Sequence, residues 1–136
     1  DIIVGFPGET DEDFERTMEV VEKARFDAAF TFIFSPRPGT AAASMTEEFV
    51  PDEVIQERFD RLVELQNRIS TEKNEELVGK TVEVLSEGPS RKRADVATTR
   101  TRTGKVVSVP GEFASGTFLD VVIQSAGHHS LVGTAI

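Results

Sequence analysis

Residues 1–10 read DIIVGFPGET and residues 30–40 read FTFIFSPRPGT. Each stretch is an apolar run that ends in a loop containing proline and glycine, which is typical of a β-strand and its turn. Between them, Phe14, Met18 and Val21 recur at helical spacing. A strand, a helix and a second strand predict a βαβ unit of a parallel sheet or barrel, in which binding sites form where the strands end.

Local signals set the bounds of this unit. We predict strands over residues 1–6 and 28–34. Thr10 followed by Asp13 is a capping-box pattern, so the helix should begin there and run to about residue 25. The unbroken apolar sequence of the first strand is typical of a strand that is buried on both faces.

A longer helix is predicted after Pro51, because proline suits the first turn of a helix and Gly79 is a natural stop. Its apolar stripe at helical spacing consists of Ile55, Phe59, Leu62, Leu65, Ile69 and Leu77. We interpret this stripe as packing against the barrel rather than as a coiled-coil seam, since the sequence predicts no second long helix.

Beyond residue 79 the sequence changes to short β-patterns separated by turns such as Gly88-Pro89 and Pro110-Gly111. Five strands are predicted, over residues 81–85, 94–101, 105–109, 117–123 and 130–136. Five short strands in so short a segment are typical of a small closed β-barrel of the oligonucleotide-binding kind. We therefore predict an α/β plus all-β fold, with a boundary near residues 77–79.

The composition narrows the class of protein. The chain has no cysteine, so it holds no disulfide, no thiolate nucleophile and no thiolate ligand for an iron–sulfur cluster. It has no apolar run of about 18 residues and no secretion leader, so we expect a cytoplasmic protein that does not enter a membrane. Because Asp1 opens a strand pattern and is not preceded by a methionine, we expect a fragment of a longer protein.

The two parts of the chain differ in net charge. Residues 1–76 carry a net charge of −11 and residues 77–136 one of +2, within a total of −9. The positive charge is concentrated in one stretch, in Arg91, Lys92, Arg93, Arg100, Arg102 and Lys105. These six side chains are candidate contacts to nucleic acid, although a solvated hairpin face has the same composition. With Phe113 and Phe118 as the only aromatic residues here, binding should be mainly electrostatic and weakly sequence-specific.

The loops after the first two strands contain further candidates. Gly5 and Gly8 bracket a loop that lacks the Lys-Ser/Thr of a P-loop, so we interpret it as a tight turn that also lets a ligand approach the backbone. Arg37 lies between two prolines that restrain its loop, and its partner would be an anionic ligand or a nearby acidic residue. His128 and His129 are neighbours in a predicted turn and make a poor metal site, so no metal ligands are predicted.

Four of these stretches resemble a known family. DIIVGFPGET at residues 1–10 and AFTFIFSPRPGT at residues 29–40 are similar to the late barrel strands of the radical-SAM methylthiotransferases. LVGKTVEVL at residues 77–85 and RTRTGKVV at residues 100–107 are similar to the TRAM domain, the RNA-binding β-barrel of that family. The resemblance covers essentially the whole chain.

The resemblance implies three parts. Residues 1–50 would be the C-terminal portion of a partial TIM-like radical-SAM barrel, residues 51–76 a long bridging helix and residues 77–136 a small OB-like TRAM barrel. The full enzyme would use S-adenosylmethionine and two 4Fe–4S clusters. It would add a 2-methylthio group to isopentenyladenosine next to the anticodon of tRNA.

The same resemblance assigns candidate contacts. Ile3, Gly5, Phe34 and Arg37 would contact S-adenosylmethionine, and Arg100, Arg102 and Lys105 would contact tRNA. Arg91, Lys92 and Arg93 are candidate RNA contacts from their charge, and the expected partner is the anticodon stem-loop of tRNA. No residue of the chain is predicted to be catalytic, and the polypeptide alone is expected to be inactive because the cluster cysteines are absent. Two alternatives stay open: a sister methylthiotransferase acting on threonylcarbamoyl-adenosine in tRNA or on a ribosomal protein, and a non-catalytic RNA-binding module.

Overall fold

Helix α1 begins where the capping box predicts. In the computed structural model, which describes all residues 1–136, α1 spans Asp11–Ala24. The Thr10 hydroxyl accepts a hydrogen bond from the Asp13 N–H at 3.1 Å, and the Asp13 carboxylate accepts one from the Thr10 N–H at 3.0 Å. The helix ends at Arg25, whose φ of 48° is left-handed. The predicted helix is confirmed at both ends.

The strands on either side of α1 form a two-stranded parallel sheet. They are β1 (Ile2–Val4) and β2 (Thr31–Ile33). The predicted βαβ unit is confirmed, but both strands are shorter than predicted. Each strand has only the other as a neighbour, and Pro7 and Pro36 follow closely, so few backbone groups find ladder partners.

Helix α2 spans Asp52–Glu75, after two 3₁₀ turns at Ala42–Ser44 and Thr46–Glu48. Its apolar stripe packs on β1 and α1 in a core made of Val4, Phe14, Val21, Ile55, Leu62, Leu65 and Ile69. The stripe packs in a core as predicted, although its observed partners are β1 and α1 and not a complete barrel, and Leu77 is wrongly included in it. Helix α2 ends before Leu77. The Leu77 side chain packs instead against the core of the β-barrel that follows residue 79.

The barrel predicted beyond residue 79 is present and closed. Its strand order is β3-β4-β5-β7-β6, and every pairing is antiparallel except the parallel one between β5 and β7. The five strands are β3 (Thr81–Pro89), β4 (Val96–Thr101), β5 (Val106–Pro110), β6 (Phe118–Ala126) and β7 (Leu131–Ala135).

Strands β3 and β6 run further than predicted because each contains an irregularity. The register shifts between Ser86 and Gly88 on β3 and between Ile123 and Ser125 on β6. Such bulges bend a strand, so it can continue around a small barrel. The barrel encloses its own core of Val84, Val107, Val109, Val121, Ile123 and Leu131. The chain as a whole divides into two compact units, Asp1–Ile69 and Ser70–Ile136.

Candidate ligand cavity and nucleic-acid interface

A cavity of about 530 Å³ lies around the ends of β1 and β2. Three of the four predicted cofactor contacts, Ile3, Phe34 and Arg37, line it together with Phe6 and Phe32. The Phe34 ring is held edge-on by Phe6 at a centroid distance of 5.4 Å. The cavity therefore combines apolar and aromatic walls with two charged residues, Arg37 and Asp1, and such a site suits a ligand with a flat ring and charged groups.

Gly5 does not line this cavity. Its φ of 80° is left-handed, and a Cβ at this position would lie 2.7 Å from Cγ1 of Ile55 on α2. Its N–H donates a hydrogen bond to Oε1 of Glu9 at 3.2 Å. Glycine is therefore required here because the loop after β1 turns sharply and packs directly against α2.

Arg37 makes no ion pair in the structure, although the sequence allowed one with a nearby acidic residue. Its backbone carbonyl accepts hydrogen bonds from the Thr40 N–H at 3.2 Å and from the Thr40 hydroxyl at 2.8 Å. These bonds, with the prolines on either side, hold the loop so that the guanidinium lies at the cavity wall.

A buried arginine holds the loop between β1 and α1. Arg58 on α2 donates to Oε1 of Glu9 at 2.8 Å, to the Glu9 carbonyl at 3.1 Å and to Oδ1 of Asp11 at 2.7 Å. Burial lowers the pKa of Arg58, but its hydrogen bonds to Asp11 and Glu9 outweigh burial and raise that pKa. Sequence reasoning missed this cluster, because Arg58 lies in a charged helical stretch that is typical of a solvent-exposed face.

Three of the six candidate nucleic-acid contacts are held by carboxylates of the same unit. Arg93 pairs with Asp95 at 2.6 Å, Arg100 with Glu87 at 2.7 Å, and Arg102 with Glu83 at 2.6 Å. The hydrogen bond from Arg100 lowers the pKa of the Glu87 carboxyl. These pairs are exposed, so each guanidinium keeps N–H groups that can bind a phosphate.

The other three candidates lie in different surroundings. Nζ of Lys105 is 2.7 Å from Oδ1 of Asn74, whose amide group also donates to the Gly127 carbonyl at 2.7 Å. Arg91 and Lys92 are exposed in the β3–β4 loop, and neither forms an ion pair. The structure thus brings Arg100 and Arg102 together at the start of the β4–β5 turn, while Arg91, Lys92 and Arg93 lie in the loop at the other end of β4.

Arg100 and Arg102 border a hollow of about 190 Å³ on the outside of the barrel. Its other walls include Leu85 and Phe118, which face each other across β3 and β6. The sequence points to Phe118 only as one of two aromatic residues in this part, and its place beside the arginines depends on the strand register.

The rings of His128 and His129 lie 4.0 Å apart, but no group of three or more His, Cys, Asp or Glu residues is arranged to hold an ion. Neither α1 nor α2 combines the length and the apolar composition that a bilayer-spanning helix requires.

Both units are similar to known proteins. Residues 75–136 match the family model of the TRAM domain. The chain is 59% identical over 112 residues to the tRNA-2-methylthio-N(6)-dimethylallyladenosine synthase of Thermoanaerobacter sp. (strain X514), a match that covers 82% of the chain and 24% of that protein. It is 50% identical over 137 residues to the synthase of the same name from Acetivibrio thermocellus, which covers 100% of the chain and 28% of that protein. The chain thus spans about a quarter of the length of these relatives.

Proposed function

Because the chain is a relative of the tRNA-2-methylthio-N(6)-dimethylallyladenosine synthases and carries a TRAM domain, we propose that it is the tRNA-holding part of such an enzyme. The full enzyme would transfer a methylthio group to isopentenyladenosine next to the anticodon of tRNA in the cytoplasm. The observation that carries this proposal is the 50% identity to a synthase over 100% of the chain, which includes both units.

We further propose a division of labour along the chain. Residues 1–50 would be the last part of a radical-SAM barrel and would border the cofactor site. Residues 51–76 would connect this part to residues 77–136, which would bind the tRNA. The support is the parallel βαβ unit at one end and the closed barrel with its basic residues at the other.

The cavity around β1 and β2 fits S-adenosylmethionine. Ile3 and Phe34 offer apolar surface for the adenine ring, and Arg37 offers a guanidinium for the carboxylate. Gly5 would act only through the shape of its loop, since Ile55 occupies the space beside its Cα. When bound, S-adenosylmethionine would supply a 5′-deoxyadenosyl radical.

The residues of this chain cannot ligate either of the two 4Fe–4S clusters, because the chain has no cysteine and no group of side chains arranged to hold a metal ion. We therefore assign to this chain only binding and positioning, and we expect the polypeptide alone to form no 5′-deoxyadenosine from S-adenosylmethionine and a reductant. Detection of that product from the purified chain would contradict this assignment.

The test of the tRNA proposal is direct binding. Fluorescently labelled tRNA is titrated with the chain and with a variant carrying Arg91→Ala and Lys92→Ala, the two basic residues that form no ion pair. We expect the chain to bind tRNA and the variant to bind it more weakly, by a similar factor for every tRNA, since phosphate contacts carry no sequence information. Absence of tRNA binding by the unmodified chain would refute the proposal.

A further inference from the structure

The two phenylalanines of the barrel unit have different environments. Phe113 packs against the barrel core and over Gly111, where a Cβ would lie 2.9 Å from its ring. Phe118 has 63% of its surface exposed, although it begins strand β6. The fold therefore uses the ring of Phe113 and leaves most of the ring of Phe118 in solvent.

The register of the barrel places Phe118 in a row with two other side chains. Leu85 on β3 is opposite Phe118 on β6 and also opposite Arg100 on β4. Arg102, whose side chain is 81% exposed, completes the border of the hollow. An aromatic face, a leucine and two guanidinium groups thus line one small depression.

The composition of this depression favours a nucleobase with its flanking phosphates over other ligands. Its volume of about 190 Å³ is below the roughly 300–1,000 Å³ of pockets that enclose a drug-sized molecule. Proteins that hold single-stranded nucleic acid combine an aromatic ring that stacks on a base with cationic groups that follow the backbone. Phe118 provides the first of these, and Arg100 and Arg102 provide the second.

Two carboxylates also line the hollow, and their negative charge would repel a polyanion. The Glu87 carboxylate pairs with Nε and Nη2 of Arg100, and the Glu83 carboxylate pairs with Nε and Nη2 of Arg102. Nη1 of Arg100 also donates to the Gly104 carbonyl at 3.2 Å. A guanidinium has five N–H groups, so after these bonds both arginines still have N–H groups that can bind a phosphate. The centre of the hollow is close to neutral, which suits a stacked base better than a phosphate.

We propose that Phe118 stacks on one unpaired base of an RNA strand while Arg100 and Arg102 bind the phosphates beside it. This inference rests on the proposed RNA binding and adds to it a contact that is not electrostatic.

The chain contains no tryptophan and no tyrosine, so Phe118→Trp introduces its only strong fluorophore at the proposed site. We expect a short single-stranded oligoribonucleotide to quench this tryptophan, and a fully paired RNA duplex to quench it far less. Phe30→Trp is the matched control, because Phe30 is 74% exposed and lies outside the barrel and the cavity. Its emission should respond little to the same RNA.

Phe118→Ala measures how much the stacking contact contributes to RNA affinity. Stacking of one base on an aromatic ring predicts a loss of RNA affinity of about 5- to 150-fold, with an unchanged dependence on salt. Affinity equal to that of the unmodified chain, with an unchanged circular dichroism spectrum, would overturn the inference and leave RNA binding intact. If the unmodified chain binds no RNA, both the inference and the proposed function are refuted.

The Phe118→Trp variant also distinguishes RNA from a second copy of the chain as the occupant of the hollow. Tryptophan emission that shifts to the blue as the protein concentration rises, and that ignores RNA, would assign the hollow to a second copy. That result would overturn the inference.

Discussion

Nη1 of Arg58 lies 2.8 Å from Oε1 of Glu9, although 49 positions separate the two residues in the chain. The same carboxylate oxygen accepts the N–H of Gly5, so one arginine on α2 orders the loop that follows β1. Phe6, in that loop, lines the proposed cofactor cavity. The shape of the cavity wall thus depends on an ion pair that does not itself face the ligand.

Arg58→Ala should destabilise the unit formed by residues 1–69 by about 3 kcal/mol, because it leaves the buried Glu9 carboxylate without its partner. Arg16→Ala is the control, since the side chains of Arg16 and Glu12 are 72% and 76% exposed and such a pair contributes at most about 1 kcal/mol. Urea unfolding followed by the helical circular dichroism signal compares them, and equal unfolding midpoints would contradict the role given to Arg58.

Gly5→Ala should be more destabilising than Gly39→Ala. Both glycines have positive φ, which costs an alanine roughly 1–2 kcal/mol. Only Gly5 has a neighbour that a methyl group would meet, Cγ1 of Ile55 at 2.7 Å, whereas nothing lies within 4 Å at Gly39. The difference between the two variants in thermal unfolding measures the clash, and Ile55→Ala combined with Gly5→Ala should remove most of it. If Gly5→Ala lowers the melting temperature equally in the Ile55→Ala background, contact with Ile55 is not the cause of the destabilisation.

Because of the α1 capping box, the stability of the fold should decrease as the pH falls into the acid range. Hydrogen bonds from Thr10, chiefly from its backbone N–H, lower the pKa of the Asp13 carboxyl below its usual 3.8. Because the folded-state pKa is the lower one, this stabilisation is present above about pH 4 and is lost as the pH falls through the folded-state value. Asp13→Asn lacks the titrating group, so its melting temperature should be lower than that of the unmodified chain at neutral pH and approach it in acid. A constant difference across this range would contradict the prediction.

Much of the fold could be predicted because its signals are local. The Thr10–Asp13 pattern locates the start of α1, and the helical spacing of apolar residues identifies the face of α2 that is buried. The five barrel strands also follow from alternation and turn residues. Leu77 shows the limit of this reasoning, since periodicity alone does not reveal that the helix has already ended.

The candidate site could be predicted only in part, because its geometry depends on register and on distant contacts. Residue types indicated Arg100 as a nucleic-acid contact, but not its pairing with Glu87. Glu87 is the extra residue of the β3 bulge, and no local pattern predicts where that bulge falls. The burial of Arg58 likewise depends on how α2 packs on the loop before α1.

Glu87→Gln should strengthen tRNA binding, because it removes a negative charge 2.7 Å from Arg100 that repels the phosphate bound there. Because Arg100 then neutralises its phosphate more fully, the slope of log affinity against log salt should become steeper, by at most about 0.7–0.9. Glu112→Gln changes the net charge equally, but Glu112 is exposed and holds no arginine, so its effect should be smaller. Equal effects of the two substitutions would mean that only net charge matters.

We propose that the barrel unit holds tRNA mainly through its basic residues. The most direct measurement is the affinity of the chain for labelled tRNA between about 50 and 200 mM salt. If four to five of the six basic side chains, Arg91, Lys92, Arg93, Arg100, Arg102 and Lys105, neutralise phosphates, log affinity should fall against log salt with a slope of about −3 to −4.5. A slope near zero would show that the barrel unit does not hold tRNA through phosphate contacts.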